Sequence, residues 1–318
     1  MSLRNAAVIC LSALLFSAPS SAAVYRWVDE RGQVHFSDRP LAADAETVTL
    51  KNTTRDWQPL DIDVIQQGSL QHQAQVLDIS RISRDVNNVY RFYKEVIYFD
   101  FYRQVPVKIH LLPGRAEYLQ FVAGYMGVDA SQSLGIYIPP LHEIAVYLHE
   151  EEYGGLQSTY ATIRHEASHA ILHSVAERLP LWLHEGMSEQ METLSDDNGR
   201  LLIRTHPRNR YQLLQMKGKA QDVLTFTEIP GDRWQRDNVK DGMNQAMAGQ
   251  LAYMLLSTGY GRSLITRLLQ DYRRGVNKRS YYLLDEHYVG GRQALQIHWQ
   301  RWLKDGMKSP DVIRFQDS

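Results

Sequence analysis

Residues 159–192 read TYATIRHEASHAILHSVAERLPLWLHEGMSEQME, and the rest of the chain is best read outward from them. Within this stretch His165-Glu166-Ala167-Ser168-His169 is an H-E-x-x-H motif. On a helix, residues four apart lie one turn apart on one face, so two imidazoles at that spacing can converge on one metal ion. Glu166 lies roughly 100° round the helix from His165. That puts it beside the ion rather than on it, placed to take a proton from an attacking water. Ile163, Ala167, Ala170 and Ile171 supply an apolar side that can hold the helix in a core. Leu179-Pro180 ends the pattern, and proline suits the first turn of the next helix.

That next helix presents Trp182-Leu183-His184-Glu185-Gly186. Catalytic zinc generally takes three protein ligands and keeps a fourth position open. Glu185 is the natural third, with 15 residues between it and His169. A helix, a tight turn and a returning helix need about that length to bring a carboxylate back. Glu189 lies one turn further on, where a carboxylate can accept a hydrogen bond from a ligand histidine and set its tautomer. His173 continues the four-residue series, yet it stands roughly 12 Å along the axis from His165 and cannot share the ion. It reads as a surface or packing residue. His184 reads as a solvated helix position, with substrate contact as the alternative. Glu150-Glu151-Glu152 reads as a solvated loop, or else as a charge that draws positive substrates to the cleft.

H-E-x-x-H followed by W-L-x-E-G resembles the gluzincins, the metallopeptidase clan of the thermolysin-like enzymes and the zinc aminopeptidases. The likeness is strongest to bacterial peptidase-MA-like domains, and it runs from about Ile79 to Trp299-Gln300-Arg301-Trp302-Leu303, similar to the tryptophan-bearing helix that ends those domains. The resemblance implies His165, His169 and Glu185 as zinc ligands, Glu166 as general base and Glu189 as the carboxylate behind a ligand. It also implies a zincin-like α+β fold: a small mixed sheet with an edge strand over the H-E-x-x-H helix, then a mostly helical C-terminal part. Glu143–Leu148 would be the edge strand that pairs with an extended substrate. Some positions depart from the pattern. Ala167 replaces a bulky apolar residue, Gln190 stands where an aromatic is frequent, and no tyrosine lies around Gln245-Ala246-Met247. Tyr253, Tyr281, Tyr282 and His287 are then the groups left to stabilise a transition state, each with a structural role as its alternative.

The N-terminus decides the expected compartment. Arg4, the apolar run Ala6–Phe16 and the small residues Ser17–Ala23 form the pattern of a secretory signal, residues 1–23, cleaved after Ala22 or Ala23. Cys10, the only cysteine, lies inside it, so the mature chain has no disulfide. The remaining 295 residues suffice for one substantial domain and a small module. Formal net charge is −1 and becomes −2 without Arg4, which points away from nucleic acid. No second apolar stretch is long enough to span a bilayer. A soluble periplasmic or secreted bacterial protein is expected.

Residues 24–51 form the small module. Val24–Val28 and Gln33–Ser37 read as strands joined by the turn Asp29-Glu30-Arg31-Gly32, and Thr47–Leu50 could add a third. Tyr25, Trp27, Asp29, Gly32, Phe36, Ser37, Asp38 and Pro40 make it resemble a short domain of unknown function found on exported bacterial proteins. Its aromatic residues suit either a binding face, for a cell-envelope partner, or a packing hairpin. Residues 52–61 read as a linker, and residues 62–318 as the metallopeptidase-like domain. Ile79, Ile82, Val86, Val89, Tyr93 and Val96 repeat at helical spacing. Val105–Leu112, Leu134–Ile138 and Glu143–Leu148 read as strands, with helices dominating from Thr159 onward.

Two functions of different class follow. One is a zinc-dependent peptidase acting on peptides or proteins, with endopeptidase action favoured because no free-amine anchor is readable. The other is an exported binding or scaffold protein that keeps the fold with negligible turnover. Glu166→Gln separates them, because glutamine keeps the shape of the side chain but cannot accept a proton.

Overall fold

The computed structural model describes residues 24–28, 34–37, 46–48, 59–68, 77–98, 107–127, 130–215, 222–307 and 310–315. The expected signal peptide, the turn at residues 29–32 and linker residues 52–58 lie outside these. The chain forms two compact units, Met1–Gln58 and Pro59–Ser318. In the first, β1 (Val24–Val28) lies between β2 (Val34–Ser37) and β3 (Glu46–Val48), antiparallel to both. Trp27 stands opposite His35, and Tyr25 opposite Thr47.

The larger unit is of mixed α+β class. Its elements begin with β4 (Asp63–Gln66), α1 (Ile79–Arg91), β5 (Lys108–Leu112), α2 (Arg115–Met126), β6 (Gly135–Ile138) and β7 (Glu143–Tyr147). Asp78 caps α1 by accepting from the Arg81 N–H at 2.9 Å, which satisfies one of the donors a helix start leaves open. Of the expected stripe, Ile82, Val86, Val89, Tyr93 and Val96 are buried, while Ile79 in the first turn is partly exposed. The four strands form one sheet in the order β4-β5-β7-β6. β4, β5 and β7 are parallel, and β6 runs antiparallel to β7. Side chains alternate across a strand: Ala145 and Tyr147 join the core under α2 with Tyr118 and Val122, while Val146 faces α3 (Gly155–Val175) on the other side.

The expectation that Glu143–Leu148 is the edge strand fails. β7 lies inside the sheet, whose edges are β4 and β6. Pro139-Pro140-Leu141-His142 turns the chain back tightly, with Leu141 N–H donating to the Ile138 carbonyl and His142 at φ 55°. The hairpin therefore covers the outer side of β7 with β6. Lys108 and His110 of β5 hold Glu143 from the other side, at 3.0 and 2.8 Å.

After α3 come α4 (Leu181–Met191), β8 (Ser195–Asp197), β9 (Arg200–Arg204), α5 (Pro207–Gln215), α6 (Val223–Phe226), α7 (Gly231–Asp241), α8 (Met243–Leu256), α9 (Gly259–Arg273), α10 (Ser280–His287), α11 (Gly291–Lys304) and β10 (Val312–Arg314). Helices dominate this half as expected, but β8, β9 and β10 form an antiparallel sheet that the helical reading passes over. Its hairpin turns at Asn198-Gly199, both at positive φ, 53° and 89°. Asn-Gly is the pair that a two-residue hairpin turn favours. α3 ends at Val175 rather than at Leu179, and Pro180 occupies the cap of α4 instead of its first turn. Among the described residues no helix is long and apolar enough to cross a membrane.

Candidate metal centre

The middle of α3 is covered nearly all round: Ile163, Ala167, Ala170 and Ile171 are fully buried, and His165, Glu166 and Ser168 are buried as well. A helix covered all round belongs to the centre of a core. Burial on this scale brings polar groups into a low-dielectric setting, where each needs a partner. α4 returns alongside α3 and is itself pressed against α8 through two glycines. A Cβ on Gly186 would stand 2.5 Å from the Ala248 carbonyl oxygen, and one on Gly249 3.2 Å from Glu189 Cβ of α4. Gly186 thus lets α8 approach next to Glu185, and Gln245 of α8 donates to Glu185 Oε2 at 3.4 Å.

The structure brings His165, His169 and Glu185 together. The two Nε2 atoms are 3.0 Å apart, and the Glu185 carboxylate oxygens lie 3.8 Å from each ring. Tetrahedral zinc with bonds of about 2.0–2.2 Å puts its ligand atoms roughly 3.3–3.5 Å from one another, so the spacing fits. The outer nitrogens support the same fit. His165 Nδ1 is 2.9 Å from Glu192 Oε1, a carboxylate that accepts an N–H. His169 Nδ1 is 3.1 Å from Ser188 Oγ, whose own hydrogen goes to Ser168 Oγ, leaving an oxygen lone pair for the ring N–H. When both rings are neutral, as zinc binding requires, each turns an Nε2 lone pair inward. Two such lone pairs at 3.0 Å repel unless a proton or a cation lies between them, and two imidazoles with a carboxylate are a donor set zinc accepts.

Electrostatics distinguish the two rings. Burial disfavours charge on His165, but the hydrogen bond and charge of Glu192 outweigh it and carry the imidazole up to about 10. The outer nitrogen of His169 meets a neutral hydroxyl instead of a carboxylate. Burial, then His184 and His165, push it well below the usual histidine value. Glu166 does not point to the ring nitrogens. Burial raises its carboxyl to about 7, with His165 opposing, Glu185 adding to the rise and the backbone of Tyr137 on β6 donating to it. Gly135 on the same strand makes room: a Cβ there would meet Thr162 Cγ2 at 2.6 Å, Val146 Cγ2 at 2.9 Å and Glu166 Cγ at 3.2 Å.

The hydrogen bond expected from Glu189 comes instead from Glu192. Glu189 is fully buried and turned to Arg208, at 3.2 Å from both oxygens, and to Asn209 at 2.7 Å. Glu192 lies a turn further along α4 and reaches His165, while its second oxygen is 3.0 Å from His206 Nε2. Its signal was the helix period itself, since it stands seven residues after Glu185 on the same face. Ser188 gave no motif. His184 is only partly exposed: its ring stacks on His169 at 4.4 Å, and burial with His165 and His173 lowers it to about 4. His173 packs against Tyr137, with ring centres 5.6 Å apart. Glu150, Glu151 and Glu152 are exposed, as their run predicts.

The groups named for transition-state stabilisation are engaged elsewhere or face solvent. Tyr253 is buried and donates to the Pro310 carbonyl at 2.7 Å. Tyr281 lies under the Arg292 guanidinium, Tyr282 is exposed, and His287 is bonded to Asp271 at 2.6 Å.

The larger unit is thus an α+β fold around a largely buried two-histidine, one-glutamate cluster. Residues 11–56 match the family Domain of unknown function (DUF4124), so the N-terminal module, with its three strands, is similar to that domain. None of the curated proteins compared matches the chain.

Proposed function

We propose that this chain is an exported, gluzincin-like zinc metallopeptidase, with zinc held by His165, His169 and Glu185 and with Glu166 as general base. One observation carries the reading: two Nε2 atoms 3.0 Å apart, each with its ring's outer nitrogen engaged, and a carboxylate 3.8 Å from both. An antiparallel edge strand, a parallel neighbour and then the H-E-x-x-H helix is an order that suits a zincin-like fold. The signal pattern of residues 1–23 favours a periplasmic or secreted location.

Zinc at this position would polarise a scissile carbonyl and lower the pKa of a water. Glu166 takes the proton of the attacking water and returns it to the leaving amine. Burial raises its carboxyl above the usual glutamate value, the direction that makes a glutamate a better base. The outer edge of β6, beside Glu166, suits an extended peptide backbone, which would align the bond to be cut. A strand edge accepts the middle of a chain as readily as its end, which favours endopeptidase action.

The test is cleavage of a mixed peptide library by the purified mature protein and its Glu166→Gln variant, with zinc measured on both. The expected result is one zinc per chain in each and a loss of cleavage of about 10²–10⁴-fold in the variant. Cleavage that persists unchanged in a zinc-loaded variant overturns the assignment of Glu166. Zinc without cleavage in either favours the scaffold.

A further inference from the structure

Behind His169 runs a line of hydroxyl groups that the zinc reading does not need for coordination. Ser188 Oγ, 3.1 Å from His169 Nδ1, donates to Ser168 Oγ at 3.0 Å. Ser168 Oγ is in turn 2.7 Å from the Tyr93 hydroxyl. Tyr93, Ser168 and Ser188 are all fully buried. Hydroxyls in a core need partners that apolar residues do not, and such networks are costly when partly broken. These three come from three elements: Ser168 from α3, Ser188 from α4, and Tyr93 from a π turn, Phe92–Val96, that extends α1. In that turn the Ile97 N–H bonds to the Phe92 carbonyl, five residues back. π turns are frequent at functional sites.

We propose that Tyr93, through Ser168 and Ser188, is a positioning residue for the metal centre: it orients the Ser188 hydroxyl so that His169 keeps its proton on Nδ1 and offers Nε2 to the ion. The inference rests on the zinc reading above. The direction of the chain follows from the hydrogen bond that Ser188 donates to Ser168. Ser188 has one hydrogen, Ser168 takes it, and the free side of its oxygen then faces the ring N–H. Without the Tyr93 hydroxyl, Ser168 loses one of its two partners. Its hydroxyl can then rotate toward Ser188, whose hydrogen is freed to point at His169 Nδ1. That reversal favours the wrong tautomer for a ligand. Glu192 is acceptor-only when ionised, so His165 has no such dependence.

The test is zinc affinity, measured by competition with a chromophoric chelator, for the mature wild type, Tyr93→Phe, Ser188→Ala, the double variant and Ser188→Thr. Ser188→Ala is expected to weaken binding by about 10–100-fold and Tyr93→Phe by about 10-fold. The double variant should bind within about twofold of Ser188→Ala alone, because the effect of Tyr93 passes through Ser188. Ser188→Thr, which keeps the hydroxyl, should recover most of the loss. A merely structural role for Tyr93 would change folding stability and leave this cycle additive. Wild-type affinity in Tyr93→Phe, or losses that multiply in the double variant, overturns the proposal and leaves the zinc reading standing. No zinc on the wild type overturns both. If Tyr93→Phe does not fold, equal affinities of Ser188→Ala and Ser188→Thr overturn it instead.

Discussion

Glu189 and Glu192 stand three residues apart on one face of α4, and their neighbours give them different work. Glu192 bonds His165 and His206, while Glu189 is closed off by Arg208 and Asn209. Replacing Glu192 by glutamine should therefore weaken zinc binding by about 10–100-fold. Replacing Glu189 by alanine should leave zinc affinity near wild type but cost about 1–3 kcal/mol of stability, because it strands the buried Asn209 amide. Chelator competition and urea denaturation on both variants check this; zinc lost from the Glu189 variant and kept by the other would reverse the roles. Glu166 makes a second prediction at this scale. Its folded pKa is raised to about 7 from 4.5, so the folded state holds the proton more tightly than the unfolded chain. That contribution is fully present below about 4.5 and is lost as pH rises through 7. Glutamine has no such charge to bury. In chelator-treated protein, the melting temperature of Glu166→Gln relative to wild type should therefore be higher at pH 8 than at pH 4.5. An equal difference at both values would mean that Glu166 is not a buried charge.

Between elements, the close approaches matter most. β6 meets α3 at Gly135, where a Cβ would collide with Thr162 and Val146 and press on Glu166. Overpacking of this kind costs about 1–3 kcal/mol. Gly135→Val is expected to displace Glu166 and cut peptide cleavage by at least about tenfold, with zinc retained, since a small misplacement of reacting groups costs rate steeply. The ligands lie beyond the side chain it disturbs. Zinc content and cleavage rate on the same sample distinguish this from general unfolding. The strand and the helix on either side of this contact were readable in the sequence pattern. The contact itself was not, because a glycine in a strand pattern signals close approach without naming the partner.

For the molecule as a whole, every residue assigned to the metal centre and its supports lies within Pro59–Ser318. A ligand that binds only the folded state raises stability by about 4 kcal/mol at a thousand times its dissociation constant. A chain beginning at Pro59 should therefore show the same zinc-dependent rise in melting temperature as the mature protein. A shift that disappears on removing the first unit would show that the module contributes to the site.

His165, Glu166, His169 and Glu185 were legible from order alone, because two helices joined by a short turn leave little freedom in where those side chains meet. Period and turn chemistry likewise announced α1, the β1–β2–β3 module and most of the central sheet. Tertiary structure decided the rest. Which strand forms the edge depends on how a Pro-Pro hairpin folds back, and which of two acids serves His165 depends on Arg208 and Asn209 claiming the other. The pairing of β9 with β10 joins residues about a hundred positions apart, a distance over which local pattern carries no information. The hydroxyl line from Tyr93 needs three elements packed together before any of its bonds exists.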